Sequence, residues 1–139
     1  MPRRMLDTNI LSDLIHWPGG SAAAAISRLT AAEQESLCTS IVVAAELRFG
    51  VEKSGSPRLA ARVEAILERV QILSLGPGAD RFYGSLRAQL ERSGTPIGAN
   101  DMLIAAHALA AGCVLVTDNE REFRRVPHLS VENWLGPHF

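Results

Sequence analysis

Apolar residues in this chain follow two rhythms. Some stand in short runs; others recur every three or four positions over longer stretches. The short runs lie at 3–6 (RRML), 37–39 (LCT), 72–75 (ILSL), 113–117 (CVLVT) and 129–133 (LSVEN), and each predicts a strand. The longer rhythm predicts helices over about 9–16, 21–34, 41–53, 57–70 and 79–92, and a short helical turn over 120–126. A further helix is predicted to start at Asn100 as N-cap, with Asp101 as its first residue, and to stop at Gly112. The punctuation agrees: WPGG at 17–20 breaks the first helix, Ser40 caps the third and Pro57 opens the next. Short apolar strands alternating with helices imply an α/β fold: a central, mostly parallel sheet of about four or five short strands flanked by helices. In such sheets ligands bind beyond the carboxyl ends of the strands.

Composition narrows this reading. A chain of 139 residues, 47% of them hydrophobic, predicts one domain with a real core and excludes disorder. The formal net charge of −1 gives no general attraction for polyanions, so any nucleic-acid site must be local or must recruit cations. All but one of the 14 basic residues are Arg, the exception being Lys53. Guanidinium groups suit bidentate phosphate contacts, and a compositional bias explains the same count. Arg48 and the Arg121, Arg124, Arg125 group are candidate phosphate contacts. Cys38 and Cys113 sit in apolar runs and are expected to be small buried hydrophobes in a reduced cytoplasmic protein. Asp7 and Asp13 interrupt any leader-like segment, and no apolar run reaches membrane-spanning length.

Four separated segments deliver a carboxylate. Asp7 follows the first strand, and Asp118 follows CVLVT, with Glu120 and Glu122 close behind. Acids after strands commonly cap the next helix, so either alone has an ordinary explanation. Glu46 has Val42, Val43, Phe49 and Gly50 as its helical neighbours, so it is expected to point inward, towards a metal or a buried Arg such as Arg87. Asp101 gains about 0.3–1 kcal/mol from the helix dipole, yet shares a face with Ile104, Ala105 and Ala108. At about 5 Å and an effective dielectric of about 20, two carboxylates repel by about 3 kcal/mol. Summed over every pair of four charges, that exceeds a domain's net stability of about 5–15 kcal/mol. Convergence therefore requires protons or a divalent cation, and an all-oxygen donor set selects Mg2+ or Mn2+. Such ions promote attack of water on a phosphodiester.

MLDTNILSDLI, SIVVAAELRFGVEKS and SGTPIGANDMLIAAHALAAGCVLVTDNEREFRRVPHLSVENW together resemble the PIN-domain nucleases, specifically the VapC-type toxins of toxin–antitoxin systems, over nearly the whole chain. The resemblance implies a PIN-like fold spanning residues 1–139 as a single domain, with Asp7, Glu46 and Asp101 as the first three acids. Thr8 and Asn9 match the polar pair that supports the first of them, and Asn119 matches the position two after the strand-end Thr. It implies a Mg2+- or Mn2+-dependent endoribonuclease that blocks translation by cutting RNA, often tRNA. It also implies a homodimer and a VapB-type antitoxin that inserts a C-terminal segment into the acidic site. The sequence departs from the pattern in carrying an additional acid beside the Thr, so the fourth acid is Glu122, from the REF match, or Asp118.

Other classes fit less well. A phosphatase using an aspartate nucleophile needs a second Asp where Asn9 stands, and a receiver domain needs an acidic pair and a late-strand Lys that are missing. A non-catalytic PIN-like partner-binding module would lack one of the acids. The four His show no metal-ligand spacing, and His107 reads as a packed residue. Trp17 and Trp134 are isolated and read as core or interface.

Overall fold

A computed structural model describes residues 2–136. Five strands, β1 (Arg4–Leu6), β2 (Cys38–Ser40), β3 (Gln71–Leu73), β4 (Val114–Val116) and β5 (Val131–Glu132), form one sheet in the order β3-β2-β1-β4-β5, with every pairing parallel. The helices are α1 (Thr8–His16), α2 (Ser21–Ser27), α3 (Ala31–Glu35), α4 (Ile41–Ser54), α5 (Pro57–Glu68), α6 (Ala79–Arg92), α7 (Ala99–Ala111) and α8 (Glu120–Phe123). The central strands are covered on both faces, so Met5, Leu6, Cys38, Leu115 and Val116 are fully buried. They join Ile10, Leu11, Val43, Ile104 and Phe123 in a single hydrophobic cluster.

Three boundaries differ from the sequence reading. The expected helix over 21–34 is two helices, because Thr30 and Glu33 form a reciprocal capping box that starts α3 anew. Strand β3 starts one residue before ILSL and ends two residues short of it. Helix α7 starts at Ala99 with Gly98 as N-cap; Asn100 is exposed inside the first turn, so the expected Asn cap is not made. The helix ends at Gly112, whose φ of 67° is the left-handed region that favours glycine, and Cys113 N–H then bonds back to Ala108 O at 2.9 Å.

The sheet's order places the first and last chemical motifs side by side. β1 and β4 pair in register, Leu6 against Val116, and Asp7 N–H continues the ladder to Val116 O at 2.9 Å. Asp7 and Thr117 therefore leave the carboxyl edge of the sheet together.

Candidate active site

Asp7 is both helix cap and buried acid. It is 4% exposed, and its Oδ1 accepts from Thr8 N–H at 2.8 Å as the N-cap of α1. Its Oδ2 accepts from the Thr117 hydroxyl at 2.7 Å and, more distantly, from Asn9 Nδ2 at 3.5 Å. Burial pushes the Asp7 carboxyl above its ordinary range; the Thr117 and Thr8 bonds pull it back, and the nearby Glu46 charge adds to the rise.

Thr117 is the residue that sequence reasoning missed. Fully buried, it donates to Asp7 and accepts from Asn119 N–H at 3.0 Å and Asn9 Nδ2 at 3.3 Å. Its signal was the strand register: a hydroxyl ending β4 beside an acid ending β1. Asn9 completes the link by accepting from Asp118 N–H at 2.9 Å.

Glu46 lies half-buried on α4, and its Oε1 accepts from the Thr8 hydroxyl at 3.1 Å. The Thr8 side chain thus holds the second acid rather than the first, which it supports through its backbone N–H. The face of Glu46 is also more open than its apolar neighbours suggested. Val43, Ala44 and Leu47 form the buried side of α4, whereas Phe49 is 67% exposed. Arg87 does not approach Glu46: its guanidinium pairs with Glu91 one turn along α6, at 3.1 Å, and bonds the Tyr83 hydroxyl at the surface. Arg87 lies beside the buried Leu86 and Leu90 of α6 but is itself exposed, its side chain turned along the helix to Glu91, so the expected buried partner fails.

Asp101, half-buried on α7, and Glu122, on α8, form the other half of the cluster. Asn119 Nδ2 spans them, donating to Asp101 Oδ2 at 3.2 Å and Glu122 Oε2 at 2.9 Å. Burial pushes Asp101 up to about 8, reinforced by a hydrogen bond with Glu122 and by the charges on Asp7, Glu122 and Glu46. The same bond holds Glu122 below its ordinary range. The two carboxyls therefore titrate as a pair holding one proton near neutral pH.

Asp118 faces elsewhere. Its Oδ1 accepts from Asn133 Nδ2 at 3.1 Å, and the same amide reaches Glu120. Asp7, Glu46, Asp101 and Glu122 are thus electrostatically linked, and Asp118 stands on the neighbouring β5 side. The four are spread more widely than a finished coordination sphere: among the described residues, no three His, Cys, Asp or Glu are gathered closely enough to cage an ion. The other expected phosphate contacts are mostly engaged. Arg48 pairs with Glu64, Arg124 with Glu120, and Arg125 donates to Pro96 O at 3.1 Å.

His107 is buried, with Ser40 Oγ 2.7 Å from its Nδ1, and burial lowers its pKa. Cys38 and Cys113 are free and buried, with sulfurs 3.9 Å apart. Trp134 is partly buried and donates to Glu132 at 3.2 Å, whereas Trp17 is 66% exposed and so lies outside the core. Among the described residues, no helix is long and apolar enough to cross a membrane.

Comparison with known proteins agrees with this geometry. The PIN domain family matches residues 4–129. Ribonuclease VapC2 of Rickettsia felis is 39% identical over 131 residues, covering 94% of this chain and 96% of the relative. The tRNA(fMet)-specific endonuclease VapC of Shigella flexneri is 38% identical, covering 96% of this chain and 99% of the relative. The fold superposes with a TM-score of 0.86 on VapBC2 from Rickettsia felis bound to a promoter DNA fragment, at 38% identity and covering 94% and 98% of the two chains. DNA-bound VapBC from Salmonella typhimurium also gives 0.86, at 36% identity over 96% and 99%. The chain belongs to the PIN-domain family, among its VapC ribonucleases.

Proposed function

We propose that this chain, acting as one PIN domain, is a divalent-metal-dependent endoribonuclease toxin. The observation that carries the reading is the linked set of carboxyls from β1, α4, α7 and α8, one of them pushed up to about 8. The donor set is entirely oxygen, which fits Mg2+ or Mn2+. A pair that keeps a proton at neutral pH is also one that a dication stabilises on deprotonation. Asp7, Glu46, Asp101 and Glu122 are the proposed ligands, and Asp118, turned towards Asn133, is not the fourth.

When bound, such an ion supplies charge neutralisation at the phosphodiester and a more acidic water. The chain's own residues supply position. Thr117 and the Thr8 N–H fix the Asp7 carboxylate, the Thr8 hydroxyl orients Glu46, and Asn119 spaces Asp101 from Glu122. The mutual repulsion of the four acids favours binding of a cation over any neutral ligand.

The named relatives support RNA as substrate, with tRNA a specific case. The VapBC assemblies among its structural neighbours support a VapB-type antitoxin as partner, and we propose a homodimer acting in the cytoplasm to inhibit translation. The phosphatase alternative loses further ground because Asn9 bonds Asp118 N–H and Thr117 rather than standing free as an acid–base group.

The test is cleavage of total tRNA and mRNA by the purified chain. Products are expected with Mn2+ or Mg2+ and none with EDTA; undiminished cleavage in EDTA overturns the metal reading. Expression should arrest growth, and co-expression of the neighbouring reading frame should rescue it.

A further inference from the structure

Helix α1 carries the acidic site at one end and an unexplained feature at the other. Its Ile10, Leu11, Leu14 and Ile15 are buried, and its opposite side is polar. There Asn9, Ser12, Asp13 and His16, together with Trp17, line an open cavity of about 470 Å3. The cavity begins at the site itself, because Asn9 is bonded to Thr117 and Asp118. Trp17 is ten residues beyond Asp7, so at 1.5 Å per residue it stands about 15 Å along the helix.

The turn holding Trp17 is fixed. Its N–H donates to Asp13 O at 2.7 Å, and its carbonyl accepts from Gly20 N–H at 2.9 Å. Gly20 is so close that a Cβ there would lie 2.9 Å from Trp17 Cβ and 3.1 Å from its carbonyl oxygen. Asp13 also accepts from Ala22 N–H at 3.3 Å, tying the turn to α2. The backbone and Cβ are thus locked while the residue as a whole is 66% exposed. A second cavity of about 470 Å3 opens along residues 17–21. A preordered aromatic ring in water, with open space beside it, gains from covering its face.

We propose that Trp17 is a stacking platform for a nucleobase of single-stranded RNA that runs along α1 from the acidic site. The inference rests on the ribonuclease reading. The surroundings favour a base over an apolar peptide: between the ring and the acidic site the lining side chains are polar, Asn9, Ser12, Asp13 and His16, and on the ring's other side the apolar surface is limited to Pro18 and two glycines, short of the i, i+3, i+4 stripe of pockets that a peptide helix requires. Stacking itself needs only a π face; the lining carries Asp13 and neither Arg nor Lys, so the phosphates are expected to stay in solvent and the ring to supply the contact.

The experiment compares wild type, Trp17→Ala and Trp17→Phe for binding of labelled oligoadenylate and oligouridylate, with Ca2+ present to limit cleavage. Trp17→Ala keeps the Cβ against which Gly20 packs, so the turn is preserved. Expected are a roughly five- to hundredfold weaker Kd for Trp17→Ala, with the adenylate more affected, and recovery by Trp17→Phe. Mn2+ affinity, measured by calorimetry, should be unchanged. Equal RNA affinity for Trp17→Ala overturns the proposal, as does failure of Trp17→Phe to recover binding. Unchanged RNA binding with weakened antitoxin binding assigns Trp17 to a protein contact instead. If wild-type protein neither binds nor cuts RNA, the ribonuclease reading itself fails.

Discussion

Asp7 and Asp101 reach the same edge of the sheet under different terms. Asp7 is more deeply buried and is met by the Thr8 N–H, the Thr117 hydroxyl and, more distantly, the Asn9 amide. Asp101 is less buried but is met by one amide, that of Asn119, and by a second carboxyl. Donors offset part of the burial that raises the first acid, whereas a second carboxyl adds to the rise of the second. One half of the site is therefore ready in position, and the other is conditional on pH or on a cation.

Asp7→Asn tests the ready half and should have the largest effect. Cleavage should fall below detection with the fold retained by circular dichroism; wild-type rates would remove Asp7 from the mechanism. The metal-free variant should not gain stability, because an amide NH2 in place of Oδ2 would face the Thr117 hydroxyl, which already accepts two donors.

Next in size is the choice of fourth acid. Glu122→Gln should weaken Mn2+ binding and cleavage strongly, whereas Asp118→Asn should leave Mn2+ affinity within about twofold, although it changes the group that accepts from Asn133. The reverse order, read by calorimetry, would transfer the role to Asp118.

The conditional half makes a signed prediction about pH. The native Asp101 carboxyl, at about 8 against 3.8 when unfolded, binds more protons than the unfolded chain between those values. Its contribution to stability is therefore greatest in acid and declines as pH rises from about 4 to 8. The lowered Glu122 works oppositely, its contribution being lost as pH falls, so the net slope belongs to the pair. Melting of the metal-free protein should show the net decline, and Asp101→Asn should flatten it and raise the melting temperature at pH 8. A slope unchanged in Asp101→Asn would place the buried proton elsewhere.

The smallest effect belongs to Arg87→Ala. Its pairing with Glu91 is exposed to solvent, so the melting temperature should hardly move and cleavage should be unaltered. A large loss of activity would restore the role that sequence reasoning gave it.

The elements, and the place of Asp7 at the edge of the sheet, were legible because they rest on local rules. Apolar periodicity marked the strands, and acids after strands in a parallel sheet point to its carboxyl edge. What stayed hidden depends on neighbours distant in sequence. Thr117 looks like any strand residue until β4 is laid beside β1, and Thr8 cannot be assigned to Glu46 before α1 and α4 are packed. Arg87 failed for the same reason: nothing local says which side of α6 faces the core near Glu46. The break at Thr30 was local and readable, since T-x-x-E is a capping signature, but the Ala-rich stretch before it obscured the restart.

The two thiols have a practical consequence. Cys38 begins β2 and Cys113 precedes β4, on either side of β1, with both side chains shielded from water. A thiol-alkylating reagent can reach them only when the middle of the sheet parts. The rate of labelling in dilute buffer thus times the opening of the strands that carry Asp7 and Thr117, and a dication that grips the acids should slow it.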